Sequence, residues 1–169
     1  VISDNFILKK TAEEFRKVLL PKVTGTINLD KATQGIALEF FVLFSSGAGA
    51  MGNIGQADYA TANAFMDRFA AYRNRLVDSK ERNGQTLSVN WPYWREGGMG
   101  VDHVSEAMIK QSTEMVALQT GTGIRAFYQS LNSNHSQTMV MEGFVSKIRE
   151  NLLRMKTVSP ARTKQLENP

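Results

Sequence analysis

The chain has no cysteine, which excludes disulfides, thiolate nucleophiles and cysteine-based zinc sites. That absence suits a reducing compartment such as the cytoplasm. No stretch approaches the roughly 18 consecutive apolar residues of a membrane-spanning helix. The opening Val1-Ile2-Ser3-Asp4-Asn5 lacks the basic-then-apolar pattern of a secretory signal. Without an initiator methionine it reads as the continuation of a longer chain. Histidine is nearly absent: His103 and His135 have no ligand spacing around them, so both read as surface residues and no metal is expected. Positive charge is present but not concentrated. The net charge is +4, yet Lys and Arg are scattered and densest after Lys147, without the interleaved aromatics of a nucleic-acid reader. No internal repeat is visible.

What is present alternates between helical and strand patterns. Thr11-Ala12-Glu13-Glu14 has the form of a capping box. Phe15, Val18, Leu19, Val23 and Ile27 follow at helical spacing and predict an amphipathic helix over residues 11–29. Pro21 falls inside it and is expected to kink or locally break it. Lys22 comes seven residues after Phe15 and so shares the apolar face, an unusual place for an ammonium. Leu38 to Phe44 is a nearly continuous apolar run, as in a strand buried on both faces of a parallel sheet. Residues 45–52 read as a small-residue loop, and residues 56–76 as a long helix with Ala62, Phe65, Met66, Phe69 and Tyr72 as its inner stripe. A second strand spans 85–91 and stops at Pro92. Residues 93–103 read as a loop, followed by short helices near 103–111 and 121–132, a strand at 137–141 and a helix at 143–155. From Thr157 the tail is polar with two prolines, the composition of a linker or a disordered segment. This alternation predicts an α/β domain with a parallel sheet. Three strands are few for an independent doubly wound sheet.

Gly47-x-Gly49-x-x-Gly52 has dinucleotide-binding spacing and follows a strand. That fingerprint also needs an acidic residue at the end of the next strand, about twenty residues on. Here the next strand ends in Asn90-Trp91-Pro92, nearly forty residues after Gly52, so the pattern fails. The glycines read instead as allowing close approach of backbone and substrate around Ser46. Ser46 stands just past the first apolar run, where ligands bind in open α/β sheets. Tyr59 and Asn63 are four apart and face one way on the following helix. Singly, each has a plain explanation as a turn cap, a packing residue or an intrahelical hydrogen-bonding group.

Together they carry a resemblance. Residues 43–67, Leu-Phe-Ser-Ser-Gly-Ala-Gly-Ala-Met-Gly-Asn-Ile-Gly-Gln-Ala-Asp-Tyr-Ala-Thr-Ala-Asn-Ala-Phe-Met-Asp, closely resemble the Ser/Tyr active-site region of modular polyketide-synthase ketoreductases. These belong to the short-chain dehydrogenase/reductase superfamily. Leu20 to Leu29 resembles the family's lysine helix, and Ser88 to Trp94 its strand leading into the substrate lid. The resemblance runs over about residues 1–145. It implies the C-terminal catalytic portion of a ketoreductase domain, part of a Rossmann-like doubly wound parallel sheet. A terminal helix at 146–156 and a linker or disordered tail at 157–169 would follow. Most short-chain reductases place a lysine four residues after the tyrosine. Here Asn63 holds that position and Lys22 supplies the lysine, which resembles the swapped arrangement of polyketide and fatty-acid synthase ketoreductases.

The catalytic set so implied is Ser46, Tyr59, Lys22 and Asn63. Tyr59 would give the proton, eased by an adjacent ammonium that favours a phenolate. Ser46 would hydrogen-bond the developing alkoxide, and Asn63 would organise a water that resupplies the proton. The implied cofactor is NADPH, touched by Lys22, Tyr59, Pro92 and Tyr93. The implied substrate is a β-ketoacyl chain on an acyl carrier protein. Ile2-Ser3-Asp4 is similar to the Leu-Asp-Asp element of B-type members, keeping its last Asp and losing its first, and Met51 stands where A-type members usually have Trp. The resemblance therefore leans to B-type, with a D-β-hydroxyacyl product, although Asp4 can equally be a plain loop aspartate. Tyr93, Trp94 and Met99 would line the acyl pocket or anchor the lid. The family's pyrophosphate loop and 2′-phosphate-binding residues lie before the equivalent of Val1. The expectation is thus a piece that needs the N-terminal part of the same ketoreductase domain and whose sheet has an unpaired edge. The alternative is a non-catalytic structural or carrier-docking segment, against which the intact Ser46, Tyr59, Lys22 and Asn63 count.

Overall fold

A computed structural model describes residues 3–97, 106–107, 110–111 and 113–157. A short 3-10 turn, Ile7–Lys9, leads into α1, Ala12–Ala32. The capping box at its start is formed: Thr11 Oγ1 accepts from the Glu14 N–H at 3.2 Å, and the Glu14 carboxylate accepts from the Thr11 N–H at 2.8 Å. Pro21 does not end the helix, which continues to Ala32. The proline sits on the exposed side, where water can replace the hydrogen bond that its ring removes.

Strand β1, Phe40–Ser46, is followed by a single helical turn, α2, Gly47–Met51, and by the long helix α3, Ala57–Asp78. The expected loop at 45–52 is therefore part strand and part helix. Gly49 explains the close seat of α2: a Cβ there would lie 2.8 Å from Asn63 Cβ and 2.9 Å from the Ala64 nitrogen. The turn out of α2 uses Gly52 at φ 76°, which glycine adopts without strain. Strand β2, Gln85–Trp91, helix α4, Thr120–Leu131, strand β3, Gln137–Met139, and helix α5, Val145–Thr157, complete the order. Thr157 thus closes a helix rather than opening the tail. The short helix expected near 103–111 falls mostly outside the described residues.

The three strands pair in parallel in the order β1-β2-β3, with Phe40 opposite Gln85 through Ser46 opposite Trp91. On one face, α1 and α3 cover Phe41 and Leu43 with Ile27, Met66, Phe69 and Ala70. On the other, Leu87, Val89 and Trp91 pack with Leu118, Phe127 and Leu131. β2 is the central, doubly covered strand. β1 is not, contrary to its apolar composition: Phe40 is 46% and Phe44 58% exposed. No strand pairs with the outer edge of β1 among the described residues, and α4 lies chiefly over β2. Tyr72, expected on the inner stripe of α3, is exposed and packs beside Phe69 with ring centroids 5.9 Å apart.

The side of β2 that faces α3 is polar. Thr86, Ser88 and Asn90 are all fully buried there, so each must find a hydrogen-bond partner. Asn74 pairs with both backbone groups of Thr86, at 2.8 and 2.7 Å. Arg73 reaches Thr86 Oγ1 at 2.8 Å, and Asp67 accepts from Ser88 Oγ at 2.6 Å and from Asn90 Nδ2 at 2.8 Å. On the opposite face, helix α4 is seated against Trp94 through Gly123, where a Cβ would lie 2.1 Å from the indole. Gly123→Ala must therefore displace that ring. The expected cost is about 1–3 kcal/mol of overpacking, net of alanine's better helix propensity. Thermal unfolding followed by tryptophan fluorescence checks it, and an unchanged midpoint counts against this packing.

Candidate active site

The carboxyl ends of β1 and β2 converge with the start of α3. Ser46 is the last residue of β1 and also caps α2: its Oγ accepts from the Ala48 N–H at 3.3 Å. The neighbouring strand holds its backbone, since Asn90 Nδ2 donates to the Ser46 carbonyl at 2.9 Å and to Ser45 Oγ at 3.1 Å. Ser45 Oγ in turn donates to the Asn63 carbonyl at 3.2 Å. Tyr59 lies in the first turn of α3, half-buried, and Asn63 lies one turn on, fully buried. Asn63 Nδ2 donates to the Tyr59 carbonyl at 2.7 Å. Its Oδ1 has no hydrogen-bond partner among the described residues.

Lys22 crosses from α1 to this place. Its Nζ stands 5.7 Å from the centroid of the Tyr59 ring and donates to the Phe44 carbonyl at 3.3 Å. The first distance lies within cation–π range. Burial pushes the Lys22 ammonium below its ordinary pKa, with the charge of Asp67 opposing. The lysine on the apolar face of its helix is thereby accounted for. It points at the tyrosine.

The strip before α1 lies across the entry to α3. Asp4 Oδ2 accepts from Gln56 Nε2 at 2.8 Å, and the Asn5 N–H donates to the Gly55 carbonyl at 2.9 Å. Met51 ends α2 at 36% exposure, its Cε folded back so that a Cβ on Gly47 would lie 3.4 Å away. Pro92 and Tyr93 leave β2 half-buried, and the Tyr93 carbonyl accepts from the Leu118 N–H at 2.8 Å. Trp94 meets Trp91 edge-on, ring centroids 5.1 Å apart, and rests on Gly123. Met99 and His103 lie outside the described residues. His135 is exposed. Among the described residues no group of His, Asp or Glu could hold a metal ion, and no helix is long and apolar enough to cross a membrane.

The support beneath this cluster has almost no local signature in the sequence. Asp67 and Asn90 link α3 to β2 and fix the backbone at Ser46. Their one local signal is the alternation Thr86, Ser88, Asn90 in a strand otherwise apolar. A second such link, the ion pair of Lys10 with Asp58, joins residues with no common local pattern.

The model of the KR domain family matches residues 1–96. The chain belongs to the ketoreductase (KR) domain family of polyketide synthases. This KR chain is 48% identical over 168 residues to polyketide synthase PksN of Bacillus subtilis (strain 168), covering 99% of the chain and 3% of that protein. It is 52% identical over 149 residues to PksL of the same organism, covering 88% of the chain and 3% of that protein. Among solved structures it is similar to a ketoreductase domain from the bacillaene assembly line, with a TM-score of 0.87 and 49% identity. That match covers 89% of the KR chain and 36% of the solved one. A structure of A-type ketoreductases from a modular polyketide synthase aligns with a TM-score of 0.75 at 27% identity, over 86% of this chain and 29% of that one. The KR chain thus spans a minor part of each relative. The expected α/β, Rossmann-like parallel sheet is borne out by these structural matches.

Proposed function

We propose that this KR chain carries the catalytic groups of an NADPH-dependent ketoreductase that converts a β-ketoacyl chain on an acyl carrier protein to the β-hydroxyacyl product. The observation that supports it most is Lys22 Nζ against the Tyr59 ring, at the end of the strand that delivers Ser46. Ketone reduction needs a hydride at carbon and a proton at oxygen, and a reduced nicotinamide, when bound, supplies the hydride. Tyr59 gives the proton, and the Lys22 ammonium favours the negative charge left on its oxygen. Ser46 Oγ already accepts from the Ala48 N–H. Its own hydrogen therefore remains to donate to the developing alkoxide. Asn63 Oδ1, buried without a protein partner among the described residues, is an acceptor suited to holding the water that resupplies the proton.

Lys22, Tyr59, Pro92 and Tyr93 are the residues proposed to hold the nicotinamide end of the cofactor, a reading supported by Lys22 Nζ against the Tyr59 ring. We do not assign a pyrophosphate cradle to Gly47 to Gly52: Gly49 serves the packing of α2 on α3, and Gly52 makes the positive-φ turn out of α2. The N-terminal part of the same ketoreductase domain is the partner proposed to supply that cradle. The outer edge of β1 and the exposed Phe40 and Phe44 are the surface it would cover. Asp4, which accepts from Gln56, and Met51, at the end of α2, are the residues on which the proposed B-type reading rests through the sequence resemblance. Trp94 and Met99 are the residues proposed to shape the acyl side, and the cytoplasm is the proposed location.

The test is an assay of NADPH consumption by the completed domain with a β-ketoacyl thioester. Oxidation of NADPH with formation of the β-hydroxyacyl thioester is expected. Its absence from a folded domain returns the chain to a structural or carrier-docking role. Ser46→Ala should lower kcat by about 10²–10³-fold, the effect of losing one oxyanion donor, with a separate stability loss of about 0.5–2 kcal/mol from the lost cap of α2.

A further inference from the structure

Lys22 and Tyr59 sit on different helices, so their separation depends on how α1 and α3 are set against each other lengthwise. Two buried ion pairs join these elements. At one end Lys10, the residue before the Thr11 cap, meets Asp58 at 2.5 Å, with side chains 2% and 0% exposed. Lys10 also donates to the Ser3 carbonyl. Asp58 immediately precedes Tyr59, and its other carboxylate oxygen accepts the Tyr59 N–H at 2.8 Å. At the other end Asp30, near the close of α1, meets Arg73 of α3 at 2.7 Å. The two helices therefore run in the same direction, and the reacting pair lies between the two links.

The links have opposite polarity. The cation belongs to the α1 side at the first and to α3 at the second. Sliding by one helical turn, about 5.4 Å, would part both pairs at once and strand buried charges. The apolar contacts between α1 and α3, such as Ile27 against the Phe41 and Phe69 cluster, impose no such discrete setting. Buried ion pairs add little net stability compared with apolar side chains of similar volume, and their best-attested use is to fix register.

We propose that Lys10 and Asp58 are positioning residues for the reductase reaction, holding Lys22 against Tyr59 by fixing the register of α1 on α3. This rests on the ketoreductase reading of Tyr59. The test uses the completed domain with Lys10→Met and Asp58→Asn combined. That variant removes the charged link, strands no charge, and keeps a side-chain oxygen for the Tyr59 N–H. The expected result is a domain that still folds, with an unfolding midpoint lowered by the unpaired amide that Asp58→Asn introduces, a kcat measured on the folded fraction lower by about tenfold or more, and a KM within about twofold. A folded double variant with unaltered kcat overturns the proposal, as does a loss of kcat that merely follows the fraction unfolded. Should the double variant fail to fold, Asp58→Glu keeps both charges and lengthens the link by one methylene. It is expected to lower kcat at unchanged KM, and full kcat in that variant overturns the proposal equally. Normal reduction by Tyr59→Phe would instead sink the ketoreductase reading. An inactive Tyr59→Phe beside a fully active double variant removes the positioning role alone.

Discussion

Tyr59→Phe lowers turnover of the completed domain by about 10²–10⁴-fold, the usual contribution of a positioned general acid, while its unfolding midpoint stays close to the original. The change deletes one oxygen atom and leaves the ring. The ring's contact with Lys22 at 5.7 Å survives, because phenylalanine also accepts a cation over its face. The neighbouring hydrogen bonds survive as well: Asn63 Nδ2 and Asp58 Oδ1 engage the backbone of Tyr59, not its hydroxyl. Among the described residues no hydrogen bond of the fold uses the phenol oxygen. Loss of ketone reduction in a stable variant therefore isolates the chemical step, and near-normal turnover would remove Tyr59 from it.

Asp30→Ala is expected to cost about 3–5 kcal/mol at pH 7, the range for removing one partner of a buried ion pair. Asp30 accepts from Arg73 Nε at 2.7 Å and from Arg82 Nη2 at 3.0 Å. The Arg73 side chain is 1% exposed. Its donors to the Asn83 and Gly84 carbonyls and to Thr86 would persist, but its charge would be left without an anion. The pH dependence provides a second reading. Burial raises the Asp30 carboxyl pKa, and hydrogen bonds from Arg82 and Arg73 outweigh that effect, leaving it below the ordinary value. A carboxylate depressed on folding contributes stability that is present above its unfolded pKa, about 3.9. That stability is lost as pH falls through the lower folded value. The unaltered domain should therefore weaken on acidification below about pH 4, and Asp30→Ala should lack this part of the slope. Urea unfolding at pH 7 and in the acid range measures both. Equal stability of the two proteins at pH 7 would show that the pair contributes nothing.

Several elements could be read directly from residue order because their causes are local. The capping box at Thr11 is a four-residue device, and it formed as expected. Strand β2 is bounded by Gly84 and Pro92, and its limits at Gln85 and Trp91 match those expected. Other features depend on partners that no window contains. Phe40 and Phe44 look like core residues by composition, yet their exposure is decided by what lies across the edge of β1. Helix α2 is made of Gly, Ala and Met, too short and too even to carry a helical period. Pro21 reads as a break because sequence does not tell which side of α1 faces water. The candidate site was legible through a family pattern around Ser46, Tyr59 and Asn63, with Lys22 drawn in from a distant helix. The links from Lys10 to Asp58, Asp30 to Arg73 and Asp67 to Asn90 were not. Each joins two unremarkable polar residues that only the packing of α1, α3 and β2 brings together.

The half-buried ammonium of Lys22 sets chemistry against durability. Its pKa is lowered mainly by burial, despite Asp67, so near neutrality the folded chain carries a charge that its surroundings disfavour. As pH climbs from the lowered value towards the ordinary 10.5, the folded chain sheds this proton before the unfolded chain does, and stability rises across that window. A search for hardier variants guided by heat tolerance alone would therefore favour replacing this lysine, and on the proposed reading would trade the group beside Tyr59 for a sturdier scaffold.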